Sequence, residues 1–215
     1  TINSQDDYYF INDLEIEGNE SISKNEILFI VRQRPPNFFF RRPKFDPRLL
    51  RLDALTLKNY YYSKGFLDVV IDESYTVKDN SNKNNFVNIL YNVVEGKQYH
   101  LSNVDITGNA LISQKKVTKL LGLKINAPYN PVGLNDNLYL LENEYQKLGK
   151  LFATITVKDE IKDSVEIKID IDEGKYIYIN NTRIERKGNI DSAIVMRELN
   201  YESGDLFSKI KVDKS

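Results

Sequence analysis

The stretch "LEIEGNESIS" at residues 14–23 decides the fold, because similar stretches recur later in the chain. It alternates apolar and polar residues, as a half-buried strand does, and then reaches Gly-Asn. A second copy, "VDITGNALIS", occupies residues 104–113 and places its Gly-Asn pair 90 residues after the first. A looser third copy covers residues 178–192. Similarity at a nearly constant period predicts a tandem array of one supersecondary unit.

A short helix is predicted after each opening strand. Ser23 can cap its N-terminus, and Glu26, three residues later, can complete a capping box. The corresponding segments of the later copies are residues 113–121 and about 192–199, and each begins at a serine.

A long helix is predicted next, and its first two copies match closely. An Asp-Pro pair at residues 46–47 and an Asn-Pro pair at residues 130–131 place an N-cap residue before a proline at the first helical position. Gly65 and Gly149, 84 residues apart, suit the left-handed residue that often follows a helix. Apolar residues recur at helical spacing in between and predict one buried stripe per helix. The stripe consists of Leu50, Ala54, Leu57 and Tyr61 in the first copy, and of Leu134, Leu138, Leu141, Tyr145 and Leu148 in the second.

Two strands follow the long helix in each of these copies. Alternation with a period of two predicts the first of them at residues 67–77 and 151–158, and the second around residues 87–93 and 165–171. A polar loop joins the two strands, and each copy ends in a similar tag, "VVEGK" or "IDEGK".

The predicted fold is therefore α+β, with tandem β-α-α-β-β modules. Each module is a small three-stranded mixed sheet with two helices on one face, because each helix has an apolar stripe to bury. The predicted domains are residues 8–98, 99–175 and 176–215. The third domain holds only the start of a module. Since such a piece cannot bury a core of its own, we expect the third module to be incomplete and the native protein to continue beyond residue 215.

The composition favours binding over catalysis. The chain has 215 residues, a net charge of −1, no cysteine and a single histidine, His100. It lacks a Gly-rich phosphate loop, a Gly-x-Ser-x-Gly motif and the ligand spacing of a metal site. We therefore predict no catalytic residue, no metal site and no cofactor, and so no enzyme. No apolar run reaches 18 residues, the length that would indicate a transmembrane helix.

The repeated motifs resemble those of the polypeptide-transport-associated (POTRA) domain. The matching segments are "LEIEGN" and "VDITGN", then "YYYSKGFLDV" at residues 60–69 and "YQKLGKLFAT" at residues 145–154, and finally "VEG" and "DEG". The resemblance implies tandem periplasmic domains ahead of a C-terminal outer-membrane β-barrel. The parent proteins would be assembly factors of the BamA or TamA type or, alternatively, two-partner secretion transporters. The implied location is the periplasmic face of the outer membrane, and the implied partners are unfolded outer-membrane proteins and accessory assembly subunits.

The resemblance also implies where such partners bind. In the family the second strand of each module is a sheet edge, to which an extended peptide can add by β-augmentation. Neither corresponding strand contains proline, a residue that often blunts exposed edges. The predicted protein-binding residues are Leu67, Val69, Ile71 and Ser74 in the first module, and Thr154, Ile155, Thr156 and Val157 in the second.

An insertion, "PPNFFFRR" at residues 35–42, distinguishes the first module from the second. Each long helix is approached through an aromatic residue, so Phe45, Tyr129 and Phe207 are equivalent, and Phe45 and Tyr129 are predicted to pack against their helices. The insertion itself is predicted to dock a partner or the inner-leaflet surface of a membrane. The alternative is that its phenylalanines fold back onto the core. The predicted docking residues are Phe38, Phe39, Phe40, Arg41 and Arg42.

A nucleic-acid-binding module is the alternative from another functional class. Residues 32–48 combine cations with aromatic rings, as single-strand binding requires. The basic character is confined to this segment and the net charge is negative, which disfavours the alternative. We therefore expect no nucleic-acid partner.

Overall fold

A computed structural model describes residues 9–37, 43–78, 85–183 and 196–214. The order β-α-α-β-β occurs twice, which confirms the predicted α+β modules. The first copy consists of strand β1 (Tyr9–Glu17), helices α1 (Lys24–Ile30) and α2 (Pro47–Ser63), and strands β2 (Val70–Lys78) and β3 (Asn85–Val94). The second consists of β4 (Leu101–Thr107), α3 (Gln114–Leu120), α4 (Pro131–Lys147), β5 (Thr154–Ile161) and β6 (Val165–Asp172), and a short helix α5 (Lys209–Asp213) follows.

Each copy has its own three-stranded mixed sheet, with the last strand in the centre. In the first sheet, β3 pairs in parallel with β1 and antiparallel with β2, so that Ile89 lies between Leu14 and Tyr75. In the second sheet, β6 has β4 as its parallel partner and β5 as its antiparallel partner. The structure divides into two compact units, one holding the first sheet and the other the second. In both sheets the second strand of the module therefore forms an edge.

The first core lies between one face of its sheet and α2. Every second residue of β3 from Val87 to Val93 is buried, and the predicted stripe of α2 is buried as well. Asp46 caps α2 by accepting a hydrogen bond from the backbone N–H of Arg48 at 2.8 Å, and Pro47 is the first helical residue, as predicted. The buried face of β3 and the apolar stripe of α2 thus pack together in one apolar layer.

The second core repeats this arrangement with one difference from the sequence prediction. Leu134, Leu141 and Tyr145 are buried and Leu138 is half-buried, as the stripe requires. Leu148, however, is 40% exposed, so its assignment to the stripe was wrong. The helix ends at Lys147, so the helical period no longer applies one residue later.

The Gly-Asn pair after each opening strand has a steric reason and a hydrogen-bonding reason. Gly18 has a φ of +74°, and a Cβ atom added there would lie 2.0 Å from the carbonyl oxygen of Val93. The side-chain amide of Asn19 donates to the carbonyl of Ile22 at 2.8 Å and so holds the turn into α1. Both features recur in the second unit, where Gly108 faces the carbonyl of Ile171 and Asn109 donates to that of Ile112.

The segment before each long helix pairs with the start of the module's first strand. The backbone N–H of Phe45 donates to Tyr9 O at 2.9 Å, and that of Ile11 donates to Pro43 O at 2.8 Å. The outer side of β1 is therefore occupied at its beginning. The equivalent bonds join Tyr129 to Tyr99, Leu101 to Ala127, Phe207 to Ile177 and Ile179 to Asp205.

Phe45 and Tyr129 are both buried, and their packing against the long helices stays a prediction. The ring of Phe45 lies against that of Tyr75 on β2, with 4.8 Å between the ring centroids. Phe207 is half-buried at the corresponding place. These aromatic residues anchor the segment that leads into each long helix.

The short helix is tied to the long helix at one recurring position. In the first unit Ser23 caps α1, as predicted, but the carboxylate of Glu26 accepts a hydrogen bond from the Tyr60 hydroxyl and lies 3.6 Å from the ammonium group of Lys64. Glu26 therefore links α1 to α2, which the expected capping box does not require. In the second unit Lys116 and Glu144 form an ion pair at the equivalent position. Both units therefore connect the short helix to the long helix at this position, through Glu26 in the first unit and through the Lys116–Glu144 ion pair in the second.

Candidate protein-binding edge strands

The first candidate edge is β2, which begins later than its alternation indicates. The sequence predicts this strand from residue 67, whereas β2 starts at Val70. Leu67 lies in a half-buried turn, and Val69 is only 2% exposed. The reason is the turn after α2, where Gly65 adopts a φ of +90° and Phe66 forms an isolated bridge with Gln98. Of the predicted residues in this module, Ile71 and Ser74 therefore lie in the edge strand.

The two faces of β2 differ in polarity. Ile71 and Tyr75 are half-buried, whereas Asp72, Ser74 and Thr76 are exposed on the open face of the sheet. All residues of β2 pair with β3, and no backbone hydrogen bond among the described residues connects β2 to another strand. An edge strand has outward-facing N–H and C=O groups on alternate residues. Such a row can accept a further strand.

The second candidate edge is β5, which contains all four residues predicted for this module. Ile155 and Val157 are half-buried, and Thr154 and Thr156 are exposed. The strand pairs along its length with β6. Beside it, the open face of the sheet has a depression of about 260 Å³, lined by Thr156, Lys158, Lys168 and Asp170 among others. The surroundings of β5 are therefore polar and carry both signs of charge.

The opposite edges of the two sheets are less open. Tyr9 and Ile11 at the start of β1 already bond to residues 43–45. Leu101 at the start of β4 donates to Ala127 O at 3.0 Å and accepts from the N–H of Asn126 at 2.8 Å. A strand that approached either of these edges would find its first positions taken. Among the described strands, β2 and β5 offer the more accessible backbone.

The Glu-Gly tag acts as a three-way connection in each unit. The carboxylate of Glu95 accepts the backbone N–H of Ser21 at 2.9 and 3.0 Å and the hydroxyl of Tyr61 at 3.1 Å. Burial, followed by the charge of Glu95, raises the pKa of Tyr61 above its usual value. In the second unit Glu173 accepts from Leu111 at 2.7 Å and from Tyr145 at 3.2 Å. Burial and then Glu173 raise the pKa of Tyr145 to about 12.

Sequence reasoning found the tag but missed its partners. The signal was present as two matching offsets, since Tyr61 and Tyr145 are 84 residues apart and Ser21 and Leu111 are 90 residues apart. Only the folded chain shows that these positions converge on one carboxylate, because the tag follows the central strand and the tyrosine lies on the helix above it.

Metal-binding clusters, His100 and membrane-spanning helices were the remaining features to locate. No group of three His, Asp or Glu side chains there is arranged to hold a metal ion. The backbone carbonyl of His100 accepts a hydrogen bond from the N–H of Val165 at 2.9 Å. No helix among the described residues is long and apolar enough to cross a membrane. The predicted docking residues Phe38, Phe39, Phe40, Arg41 and Arg42 lie outside the described residues.

Comparison with known families matches the two repeats directly. The POTRA family model, described as a surface antigen variable number repeat, matches residues 9–96 and again residues 99–174. The chain belongs to the POTRA family. The two matches together contain both three-stranded sheets, so the POTRA resemblance of the Gly-Asn and Glu-Gly motifs is confirmed.

Relatives of these POTRA repeats are outer-membrane protein assembly factors. The chain is 25% identical over 216 residues to the outer membrane protein assembly factor BamA of Buchnera aphidicola, covering 92% of this chain and 33% of that protein. It is 22% identical over 214 residues to BamA of Neisseria meningitidis serogroup B, covering 95% of this chain and 26% of that protein. The chain thus spans about a quarter to a third of the length of the curated relatives it matches.

A solved structure shows the same POTRA fold. The crystal structure of POTRA domains 3–5 of Haemophilus influenzae BamA has a TM-score of 0.63 with this chain at 20% sequence identity. The match covers 96% of this chain and 83% of that one. At this identity the similarity establishes the fold.

Proposed function

We propose that this chain is a periplasmic module array of an outer-membrane β-barrel assembly factor. In this proposal it binds unfolded outer-membrane proteins and accessory assembly subunits through the edge strands β2 and β5. The observation that carries the proposal is the pair of edge strands without proline and without a second backbone partner among the described residues. The names of the relatives supply the cellular setting.

β-Augmentation suits a client that is still unfolded. An extended peptide that adds to an edge gains main-chain hydrogen bonds, which depend little on its sequence. Side chains at alternate positions then contact one face of the sheet, which gives a moderate preference for alternating apolar and polar residues. Strands of outer-membrane barrels have that alternation. The edges of β2 and β5 therefore match a broad client class in both backbone and pattern.

The proposal includes the module boundaries and a non-enzymatic role. Three modules at residues 8–98, 99–175 and 176–215 would form a binding scaffold on the periplasmic side of the outer membrane, ahead of a C-terminal β-barrel in the full-length protein. The phenylalanine- and arginine-rich segment at residues 38–42 would contribute a separate docking contact to a partner or to a membrane surface. None of these steps requires a catalytic residue or a cofactor.

Site-specific crosslinking tests the edges. Because the chain has no cysteine of its own, each variant carries a single thiol at a known position. Single-cysteine variants Ser74→Cys and Thr156→Cys place a thiol on the exposed faces of β2 and β5. Asn59→Cys on α2 and Lys119→Cys on α3 are exposed controls away from the edges. The probe is a short peptide with the alternating pattern of a membrane β-strand and one cysteine.

Disulfide crosslinks should form at residues 74 and 156 faster than at the two control positions. A peptide N-methylated along its middle residues should lose this preference, because it cannot donate main-chain hydrogen bonds. Equal crosslinking at all four positions, or an unchanged preference with the methylated peptide, would show that these edges do not bind by augmentation.

A further inference from the structure

The first unit has a half-open cavity of about 440 Å³ that the proposed edge binding does not use. It lies where the end of α1, the start of β1 and the segment before α2 meet. Its walls are mostly apolar, and its charged lining among the described residues consists of cations. The apolar lining comes from Ile11, Pro35, Pro43 and Leu49, and the polar lining from Arg32, Gln33, Arg34 and Lys44.

Gln33 is the unusual member of this lining. It is only 3% exposed, and its side-chain oxygen accepts the backbone N–H of Asp46 at 2.9 Å. Its side-chain nitrogen Nε2 is buried and makes no hydrogen bond to the described residues. Buried amide donors are nearly always paired, because leaving one unpaired costs stability. Gln33 also lines the cavity, and a buried donor that has no acceptor among the described residues points to an acceptor brought by a ligand.

The surrounding network holds this amide in place. Asp53, which is 1% exposed, accepts the backbone N–H of Arg32 and of Gln33, each at 2.9 Å. With Gln33 bonded in turn to the cap residue Asp46, the end of α1 is fixed against the start of α2. The side-chain amide is therefore held by its own hydrogen bond and by its anchored backbone before any ligand arrives, which lowers the entropy cost of binding.

The second module does not share this arrangement. By the repeat offsets, Leu123 stands where the first module has Gln33, and Asn137 where it has Asp53. Gly122 replaces Arg32. Gln33, the carboxylate of Asp53 that accepts its backbone N–H, and the cation Arg32 are therefore specific to the first module, although the fold is the same.

We propose that this cavity binds a carboxylate side chain from an acidic and apolar segment of a partner protein. The carboxylate would accept a hydrogen bond from Gln33 Nε2 and be attracted by Arg32 and Arg34, both of which are exposed. Apolar neighbours in the same segment would contact the wall formed by Ile11 and Leu49. Charge complementarity thus selects the occupant.

The depth of the donor favours a side chain over a membrane or a nucleic acid. Gln33 is recessed, so a group that reaches it must project into the cavity. Phosphates at the flat surface of a bilayer would meet the exposed arginines but not the buried amide. An aspartate or glutamate side chain has both the reach and the acceptor capacity.

The test uses the whole chain and two short peptides, blocked at both ends, one alternating leucine with glutamate and the other leucine with glutamine. Nuclear magnetic resonance follows the side-chain amide signals of Gln33 during titration. The glutamate peptide should shift these signals and bind at least about tenfold more tightly than the glutamine peptide, since charge-assisted hydrogen bonds are the stronger ones. Affinity should fall as salt concentration rises.

Two variants and one matched control locate the site. R32E with R34E reverses two exposed charges and should weaken binding by about tenfold or more. Q33E keeps an acceptor for Asp46 but replaces the donor by a group that repels carboxylate, and should also abolish binding. K115E with K119E makes the same charge change on exposed residues of α3 and should leave affinity within about twofold. Circular dichroism checks that each variant is folded.

Three results would overturn the proposal. The first is equal binding of the two peptides. The second is binding to phosphatidylglycerol vesicles that depends on Gln33 as strongly as peptide binding does, which would identify a lipid headgroup instead. The third is a hydrogen bond from the Gln33 amide to residues 38–42 in the free chain, which would make the chain itself the occupant.

Discussion

The hydroxyl of Tyr61 donates to the carboxylate of Glu95 at 3.1 Å, and this bond joins the long helix to the end of the central strand. The same carboxylate accepts the backbone N–H of Ser21, so that the loop after β1 is held as well. Tyr145 and Glu173 repeat the arrangement in the second unit. One acidic residue thus links three elements that lie far apart in the sequence.

Glu95→Ala should destabilise the first module by about 1–3 kcal/mol, because it leaves the N–H of Ser21 and the hydroxyl of Tyr61 without their acceptor. Urea unfolding monitored by circular dichroism measures this change. Glu15→Ala on the exposed face of β1 is the control and should stay within about 0.5 kcal/mol. A loss at Glu95 no larger than at Glu15 would show that the three-way connection contributes little.

Stability should fall at alkaline pH because of Tyr145. Its pKa is about 12 in the folded chain and about 10 when unfolded. Between these values the unfolded chain has released the proton and the folded chain has kept it, so the free energy of unfolding decreases as pH rises, by up to about 1.4 kcal/mol per pH unit. Below the unfolded pKa this contribution is fully present.

Tyr145→Phe should make the decline less steep, because the titrating hydroxyl is gone. Denaturant unfolding at several alkaline pH values, compared with the parent chain, isolates the effect from other groups that titrate there. Tyr139→Phe is the control, since Tyr139 is 57% exposed on the same helix. Parallel pH profiles for the parent and Tyr145→Phe would contradict the prediction.

Gly108→Ala should unfold or strongly destabilise the second module. The residue has a φ of +77°, and the added Cβ would lie 1.9 Å from the carbonyl oxygen of Ile171. Gly204→Ala is a matched control with a φ of +93° but no atom within 4 Å of the new Cβ. It should cost only the strain of the left-handed backbone, about 1–2 kcal/mol. Thermal melting distinguishes the two, and equal losses would rule out the steric explanation.

Asp53→Ala should destabilise the first module by about 2 kcal/mol or more, since two backbone N–H groups after α1 lose their acceptor in a buried site. Asn137→Ala, at the repeat-equivalent position of the second module, should cost less. Urea unfolding of both variants gives the comparison. A larger loss at Asn137 would show that Asp53 is not a special support of the first module.

Periodicity in the sequence was enough to predict the order of elements. Apolar positions at helical spacing identified α2 and α4, and alternation identified β3 and β6, because burying a face requires those periods. The residues at which strands begin were harder to predict. Val69 continues the alternation but lies before β2, since the turn at Gly65 and Phe66 takes up the intervening residues.

Side-chain partners could not be predicted from periodicity at all. Glu26 was expected to bond locally at its helix end, yet it contacts Tyr60, 34 residues away. The cavity beside Gln33 depends on three segments that meet only after folding. Such contacts arise from tertiary packing, for which the local pattern holds no distance information.

The sequence by itself determined the repeated module, the helix caps and the glycines at the turns, because each depends on backbone conformation or on a local hydrophobic period. Only the tertiary structure decided where the edge strand β2 begins, that Glu95 and Glu173 each serve two partners, and that the amide of Gln33 has no acceptor among the described residues. The physical reason is that exposure of an edge and satisfaction of a polar group depend on which segments come to lie beside them, and that is settled when the core is packed.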